Sequence, residues 1–190
     1  MSKQIPVGIS ARHVHVTREH LDILFGEGYQ LTVKKDLSQP GQYAANEQVD
    51  IVTEKGTFKN VRILGPERKQ TQVEIALTDA LKLGVNPPVR DSGDLKGSVG
   101  VTVIGPKGQV KIEEGVIVAC RHIHMTPADA AEFGVKDKEI VKVCVGGDRG
   151  LIFDNVLVRV NDNFKLELHL DTDEGNAAKV STGSTVAIVK

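Results

Sequence analysis

The chain of 190 residues carries only two cysteines, Cys120 and Cys144. That is too few for a disulfide framework and fits a reducing compartment. It has no surplus of either charge, with 24 basic residues against 25 acidic and a formal net charge of -1. No chain-wide field therefore favours nucleic acid or a membrane surface, and any anionic ligand must be held by local residues. No apolar run approaches the length of a membrane span, and residues 1–6 are too short and too polar for a signal peptide, so the cytoplasm is the expected location. The Gly-rich turns Gly105-Pro106-Lys107-Gly108 and Gly146-Gly147 lack a P-loop pattern. The oxygen-rich loops of calcium sites are missing. No long helical pattern separates the strand-like segments, which argues against a Rossmann or long parallel sheet. At 40% hydrophobic residues the chain can still bury a core, as one domain or two small ones.

What it does have is a duplication. Arg12-His13-Val14-His15 returns as Arg121-His122-Ile123-His124, each copy after a short apolar run and before a threonine, Thr17 or Thr126. Four of the six histidines sit in these copies. In extended backbone side chains alternate, so the two histidines of each copy share a face and make half of a metal site. Phe58-x-Asn60-Val61 likewise matches Phe153-x-Asn155-Val156, at an offset of 95 residues against 109 for the histidines. The first half thus holds about 14 extra residues, placed around residues 29–42. The same register pairs Glu74 with His169, each 16 residues beyond its Phe. Each half then offers two histidines and a third residue able to bind metal, Glu74 or His169, in an alternating apolar and polar run.

Short strands are expected over residues 48–53, 57–64, 100–104, 116–119, 140–145, 156–160, 164–170 and 185–189, punctuated by Gly, Pro, Asn and Asp turns. Helices are short: residues 17–25 and 126–133, each opened by a threonine cap, and 78–83 before Gly84. The expected fold is mainly β, two related β-barrels from an internal duplication capped by short α-helices and joined near Pro87-Pro88. Asp171, Asp173 and Glu174 read as a turn, and His20 as a helix-surface residue. Leu95-Lys96-Gly97-Ser98 is open to a role in holding phosphates.

Two His plus Glu, or three His, leave a divalent ion with an open position, the pattern of catalytic zinc, with cobalt or manganese as alternatives. Arg68 lies six residues before Glu74, so in extended backbone both would share a face and a guanidinium would approach the metal, where it could clamp a phosphate. Arg62 lies one strand earlier. Cys120 is a further soft donor beside the second motif.

Taken together, the two RHxH copies, Gln39-Pro40-Gly41-Gln42-Tyr43-Ala44-Ala45, Asn60-Val61-Arg62-Ile63-Leu64-Gly65-Pro66, Gln72-Val73-Glu74-Ile75, Leu95-Lys96-Gly97 and Leu168-His169-Leu170-Asp171-Thr172-Asp173-Glu174-Gly175-Asn176-Ala177 resemble the PduL-type phosphate acyltransferases, also called phosphate propanoyltransferases. The resemblance runs from about Pro6 to the C-terminus. It implies reversible conversion of acyl-CoA (acetyl-CoA or propanoyl-CoA) and inorganic phosphate to acyl phosphate and CoA. It also implies two β-barrels with a dinuclear zinc site between them, two ions per chain. By resemblance His13, His15 and Glu74 bind one zinc, His122, His124 and His169 the other, and Arg68 binds phosphate. Coenzyme A is expected along Ile9, Ser10 and Ala11, with Arg62, Asn176 and Lys55 as further contacts. The implied domains are residues 12–119, and residues 1–11 plus 120–190 as a second barrel completed by the N-terminal strand. A homodimer is implied, as is a freestanding cytoplasmic enzyme without a microcompartment-targeting extension. Two other readings stay open: a dinuclear metallohydrolase, acting on phosphoesters or thioesters, and a non-catalytic zinc-binding module.

Overall fold

The computed structural model describes residues 3–189; residues 1, 2 and 190, at the ends of the expected second barrel, lie outside the described residues. Its first half runs β1 (Ile5–Ser10), β2 (His13–His15), α1 (Arg18–Phe25), β3 (Val33–Asp36), β4 (Tyr43–Val52), β5 (Thr57–Gly65), β6 (Gln72–Glu74), α2 (Leu77–Leu83), β7 (Val89–Arg90), β8 (Val99–Ile104) and β9 (Gln109–Ala119). The second runs β10 (His122–Met125), α3 (Pro127–Phe133), β11 (Ile140–Val145), β12 (Leu151–Val160), β13 (Glu167–Asp171), α4 (Thr172–Ala178) and β14 (Thr185–Val189).

The fold is mainly β, as the alternation predicted. It divides into two compact units, one made of Arg12–Leu37 and Gly41–Ala119, the other of the chain through Ala11, Ser38–Pro40 and everything from Cys120 on. In the first, β4, β5, β2, β6, β9 and β8 pair in turn and β8 pairs back to β4, closing a ring of six strands. In the second, β1-β13-β10-β12-β11-β14 is a closed barrel of six. The pairing is the same in both. Each RHxH strand, β2 or β10, lies between a parallel neighbour (β5 or β12) and an antiparallel one (β6 or β13). The antiparallel neighbour then pairs in parallel with β9 or β1. So the strand that leads into each motif belongs to the other unit's barrel: β1 precedes β2, and β9 precedes β10.

Each barrel buries its own aliphatic core. Val14, Leu21, Ile51, Ile63, Val73 and Val103 are fully buried in the first, and Ile5, Val7, Ile123, Met125, Val143 and Leu168 in the second. Thr17 accepts from the His20 amide at 3.0 Å and Thr126 from that of Asp129 at 3.1 Å, which starts α1 and α3 where the cap residues predicted. Two expectations change. The acidic run after β13 is a helix, because Asp171 accepts from the Glu174 amide at 2.8 Å while Glu174 accepts from that of Asp171 at 2.9 Å, a reciprocal cap that starts α4. Pro87-Pro88 lies inside the first unit, where the Pro88 carbonyl accepts from Val118, so it is not a junction. The extra residues of the first half form β3, which pairs along β4, and the segment Ser38–Pro40.

The Phe-x-Asn landmark has a backbone cause. Asn60 and Asn155 stand at φ 57° and 53°, the left-handed region that Asn tolerates and β-branched residues do not. The motif arginines stack beside the same Phe residues, Arg12 4.3 Å from the Phe58 ring centre and Arg121 5.1 Å from that of Phe153. They pair with Asp79 of α2 at 3.3 Å and Glu174 of α4 at 2.6 Å. The arginine of each motif therefore holds the helix that follows the third-ligand strand. Replacing Asn155 with Val should cost about 1–2 kcal/mol of stability, whereas Asn155→Gly should stay within about 0.5 kcal/mol; urea unfolding midpoints check the difference.

Candidate metal centre

In the first unit β2 and β6 pair antiparallel with His13 opposite Glu74 and His15 opposite Gln72. Val14 and Val73, the alternate residues, turn into the core, which leaves His13, His15 and Glu74 on the other face. The three offer ligand atoms within 4.8 Å of one another. His13 Nε2 lies 3.5 Å and His15 Nε2 3.9 Å from the Glu74 carboxylate, and the two rings meet edge to face at 4.9 Å. His15 Nδ1 lies 3.1 Å from the Leu64 carbonyl, and donating its proton there leaves the Nε2 lone pair free toward Glu74. Burial, with help from His13 and Arg68, pushes the His15 pKa down to about 3. Burial alone would raise Glu74, but His13, His15 and the Ser92 hydroxyl outweigh it and hold the carboxyl well below the usual range.

In the second unit β10 and β13 repeat the register, His122 opposite His169 and His124 opposite Glu167. His122, His124 and His169 again offer ligand atoms within 4.8 Å, with ring centres 4.6 to 5.1 Å apart. His122 Nδ1 meets the Cys120 carbonyl at 2.7 Å, and His169 Nε2 meets the Glu167 carboxylate at 2.6 Å. Cys120 thus serves through its backbone. The thiol is in no disulfide. His124 Nδ1 is buried with no hydrogen-bond partner among the described residues, a costly state for an imidazole nitrogen unless a ligand takes it. Burial, then His122, His169 and Arg159, push its pKa down to about 2.

Both donor sets suit a divalent ion of the zinc type: imidazoles with or without one carboxylate, His15 and His122 oriented from behind by carbonyls and His169 by a carboxylate, with three candidate ligands in each set. What such a site can do is bind an oxygen or sulfur atom of a substrate at the remaining position.

Arg68 reaches the first triad by a route the sequence did not show. Residues 66–71 bend rather than extend, so strand parity does not apply there. The Arg68 amide instead donates to the Val16 carbonyl at 2.8 Å, and its Nη1 donates to Ser92 Oγ at 3.0 Å. Ser92 Oγ lies 3.0 Å from Glu74 Oε1, and Gln72 Nε2 donates to the same oxygen at 2.5 Å. Ser92 and Gln72 were not singled out in the sequence; neither were Glu167, Ser38 and Arg159 around the second triad. Arg62 is committed to the Ala45 and Asn46 carbonyls at 2.8 and 3.0 Å. Lys55 is exposed in the turn between β4 and β5, against Gly84. In the second unit Ile9 and Ser10 finish β1 beside β13 and Ala11 follows the strand, Asn176 is exposed on α4, and Gly175 of that helix packs on Ile9. His20 is half-buried and meets Thr71 Oγ1 at 2.7 Å. Ser98 is buried and clips Gly115 to its turn at 2.8 Å, which gives Leu95-Lys96-Gly97-Ser98 a structural role.

A family model described as phosphate propanoyltransferase matches residues 6–181. The chain is similar to the phosphate propanoyltransferase of Thermotoga maritima, 63% identical over 187 residues, which covers 98% of this chain and 89% of the relative. It is similar to those of Lachnoclostridium phytofermentans, 55% identical over 97% of this chain and 87% of the relative, and Clostridioides difficile, 53% over 98% and 89%.

The depressed histidines set a pH dependence. His15 and His124 stay neutral in the folded chain below the pH at which an unfolded histidine charges, so the unfolded state gains protons first and stability falls as pH drops below about 6.5. Glu74 acts in the same direction, its contribution being lost as pH falls below the ordinary carboxylate range. Stripped of metal by a chelator, the protein should lose about 2 kcal/mol for each of the two histidines between pH 7 and pH 5. Denaturant midpoints across that window check it, and a flat profile would contradict the buried, neutral state.

Proposed function

We propose a specific reaction for this chain, which belongs to the phosphate propanoyltransferase family and is an acyltransferase: reversible transfer of a short acyl group between coenzyme A and inorganic phosphate, with one zinc ion in each triad. The observation that carries the reading is the line from Arg68 through Ser92 to Glu74, which leaves a guanidinium one serine away from the carboxylate of the first triad. His13, His15 and Glu74 would hold one zinc and His122, His124 and His169 the other, and the ions would supply Lewis-acid polarisation of carbonyl or phosphoryl oxygen and a soft partner for a thiolate sulfur.

The roles of the chain's own residues follow. Arg68 holds phosphate through paired N–H donors, and Ser92 keeps the guanidinium from swinging into solvent. Fixing phosphate beside the thioester removes much of the entropic cost of bringing two substrates together. A phosphate oxygen then forms a bond to the carbonyl carbon, the carbon–sulfur bond breaks, and coenzyme A leaves as thiolate and takes up a proton. No acyl-enzyme is invoked: Cys144 is exposed on β11 and Cys120 is outside both triads. Coenzyme A lies along Ile9, Ser10 and Ala11, with Asn176, Arg62 and Lys55 as further contacts. The relatives' name favours propanoyl-CoA, with acetyl-CoA as the alternative acyl donor. The two cysteines, neither in a disulfide, support a cytoplasmic setting.

Protein of measured zinc content, given acetyl-CoA and propanoyl-CoA, should release free thiol only when phosphate is present and should yield acyl phosphate in equal amount. Thiol release without phosphate would instead identify a hydrolase, and no release a binding module. Arg68→Ala should lower the rate roughly 100-fold or raise the phosphate KM to a similar extent. Zinc should stay at the wild-type level, and loss of zinc in step with activity would make Arg68 part of the metal site instead.

A further inference from the structure

The residues immediately behind the third ligands form a matched pair of their own. Gln72 and Glu167 stand two residues before Glu74 and His169, at the same offset of 95 residues, and in register opposite the second histidine of each motif, His15 and His124. Each meets its third ligand, but with opposite polarity. Glu74 is a carboxylate that only accepts, and Gln72 donates to it at 2.5 Å. His169 is an imidazole with a proton to give, and the Glu167 carboxylate receives it at 2.6 Å. A serine completes each: Ser92 Oγ accepts from Gln72 Nε2 at 2.9 Å, and Ser38 Oγ donates to Glu167.

We propose that Gln72 and Glu167 are positioning residues for metal binding, with the polarity of each fixed by the ligand it serves. Each pair, Glu74 with Gln72 and His169 with Glu167, then holds one carboxylate, on the metal in one triad and behind the imidazole in the other. A carboxylate behind a ligating imidazole fixes its tautomer and raises its basicity, and an amide on a ligating carboxylate fixes which oxygen turns to the metal. Stability alone does not account for Glu167. It is 7% exposed, next to the fully buried Leu168 of the second core, where a carboxylate is costly unless it is paired. Space is also kept for it: a β-carbon on Gly8, opposite His169 on β1, would lie 2.8 Å from the Glu167 carboxyl carbon.

The proposal rests on the reading of the triads as metal sites, and its test separates the two. Zinc affinity is measured on the full chain by competition with a chromophoric chelator, with cobalt(II) absorption as a second readout and circular dichroism as the check on folding. Wild type should hold two ions. Glu167→Gln should weaken one of them roughly 10- to 100-fold and shift the cobalt band of that site, without changing the other. In the first triad Glu74→His alone should weaken zinc at least about tenfold, and adding Gln72→Glu should restore it to within a few-fold by recreating the His169 and Glu167 pair. Glu167→Gln with both affinities at the wild-type level overturns the proposal while leaving the metal sites standing. So does a Glu74→His, Gln72→Glu chain that binds no better than Glu74→His. A wild type that binds no metal overturns both the proposal and the reading beneath it.

Discussion

The antiparallel register between each RHxH strand and the strand that supplies its third ligand is the constraint on which everything else depends. It sets His13 opposite Glu74 and His122 opposite His169. Because side chains alternate with period two, a slip of one residue would send the ligands into the aliphatic core and the core residues out. The register is fixed from the core side. Val14 against Val73, and Ile123 against Leu168, are fully buried and directly opposed. Two or three strand residues are therefore enough to hold a triad, provided the barrel around them is closed.

Closure explains the odd path of the chain. The strand beyond each third ligand is β9 in one barrel and β1 in the other, and each runs on in sequence into the other barrel's motif. The motif arginines add a second tie, from Phe58 and Asp79 in one unit and from Phe153 and Glu174 in the other. Within this frame burial keeps His15 and His124 neutral and hence able to bind metal, while backbone carbonyls orient His15 and His122 from behind. The same burial works against the fold whenever no metal is there to use those nitrogens, and the orphaned Nδ1 of His124 shows where that cost falls.

Much of this was legible in the sequence because it is periodic. Alternation exposed the strands, threonine caps exposed α1 and α3, and a constant offset led from the histidines to Glu74 and His169. What escaped was either chemically ambiguous or made by distant contacts. Asp171 and Glu174 read as a turn because acidic residues with Gly175 and Asn176 suit one, and only the reciprocal cap makes a helix of them. Ser38 and Ser92 sit in loops with no repeat partner, and only folding brings them to Glu167 and Glu74. Strand parity puts Arg68 on an extended strand, yet the chain bends there and the guanidinium meets Glu74 through Ser92. Gln72 and Glu167 obey the same offset of 95 residues, but a Gln matched to a Glu shows no repeat in the sequence, because the match lies in their hydrogen bonds to the third ligands.

The account stands or falls on the two triads as separate metal sites. X-ray diffraction collected on either side of the zinc absorption edge addresses this directly. It should give two anomalous peaks per chain, one within bonding distance of His13, His15 and Glu74, and one of His122, His124 and His169. A single peak, or peaks bound by other residues, would contradict it.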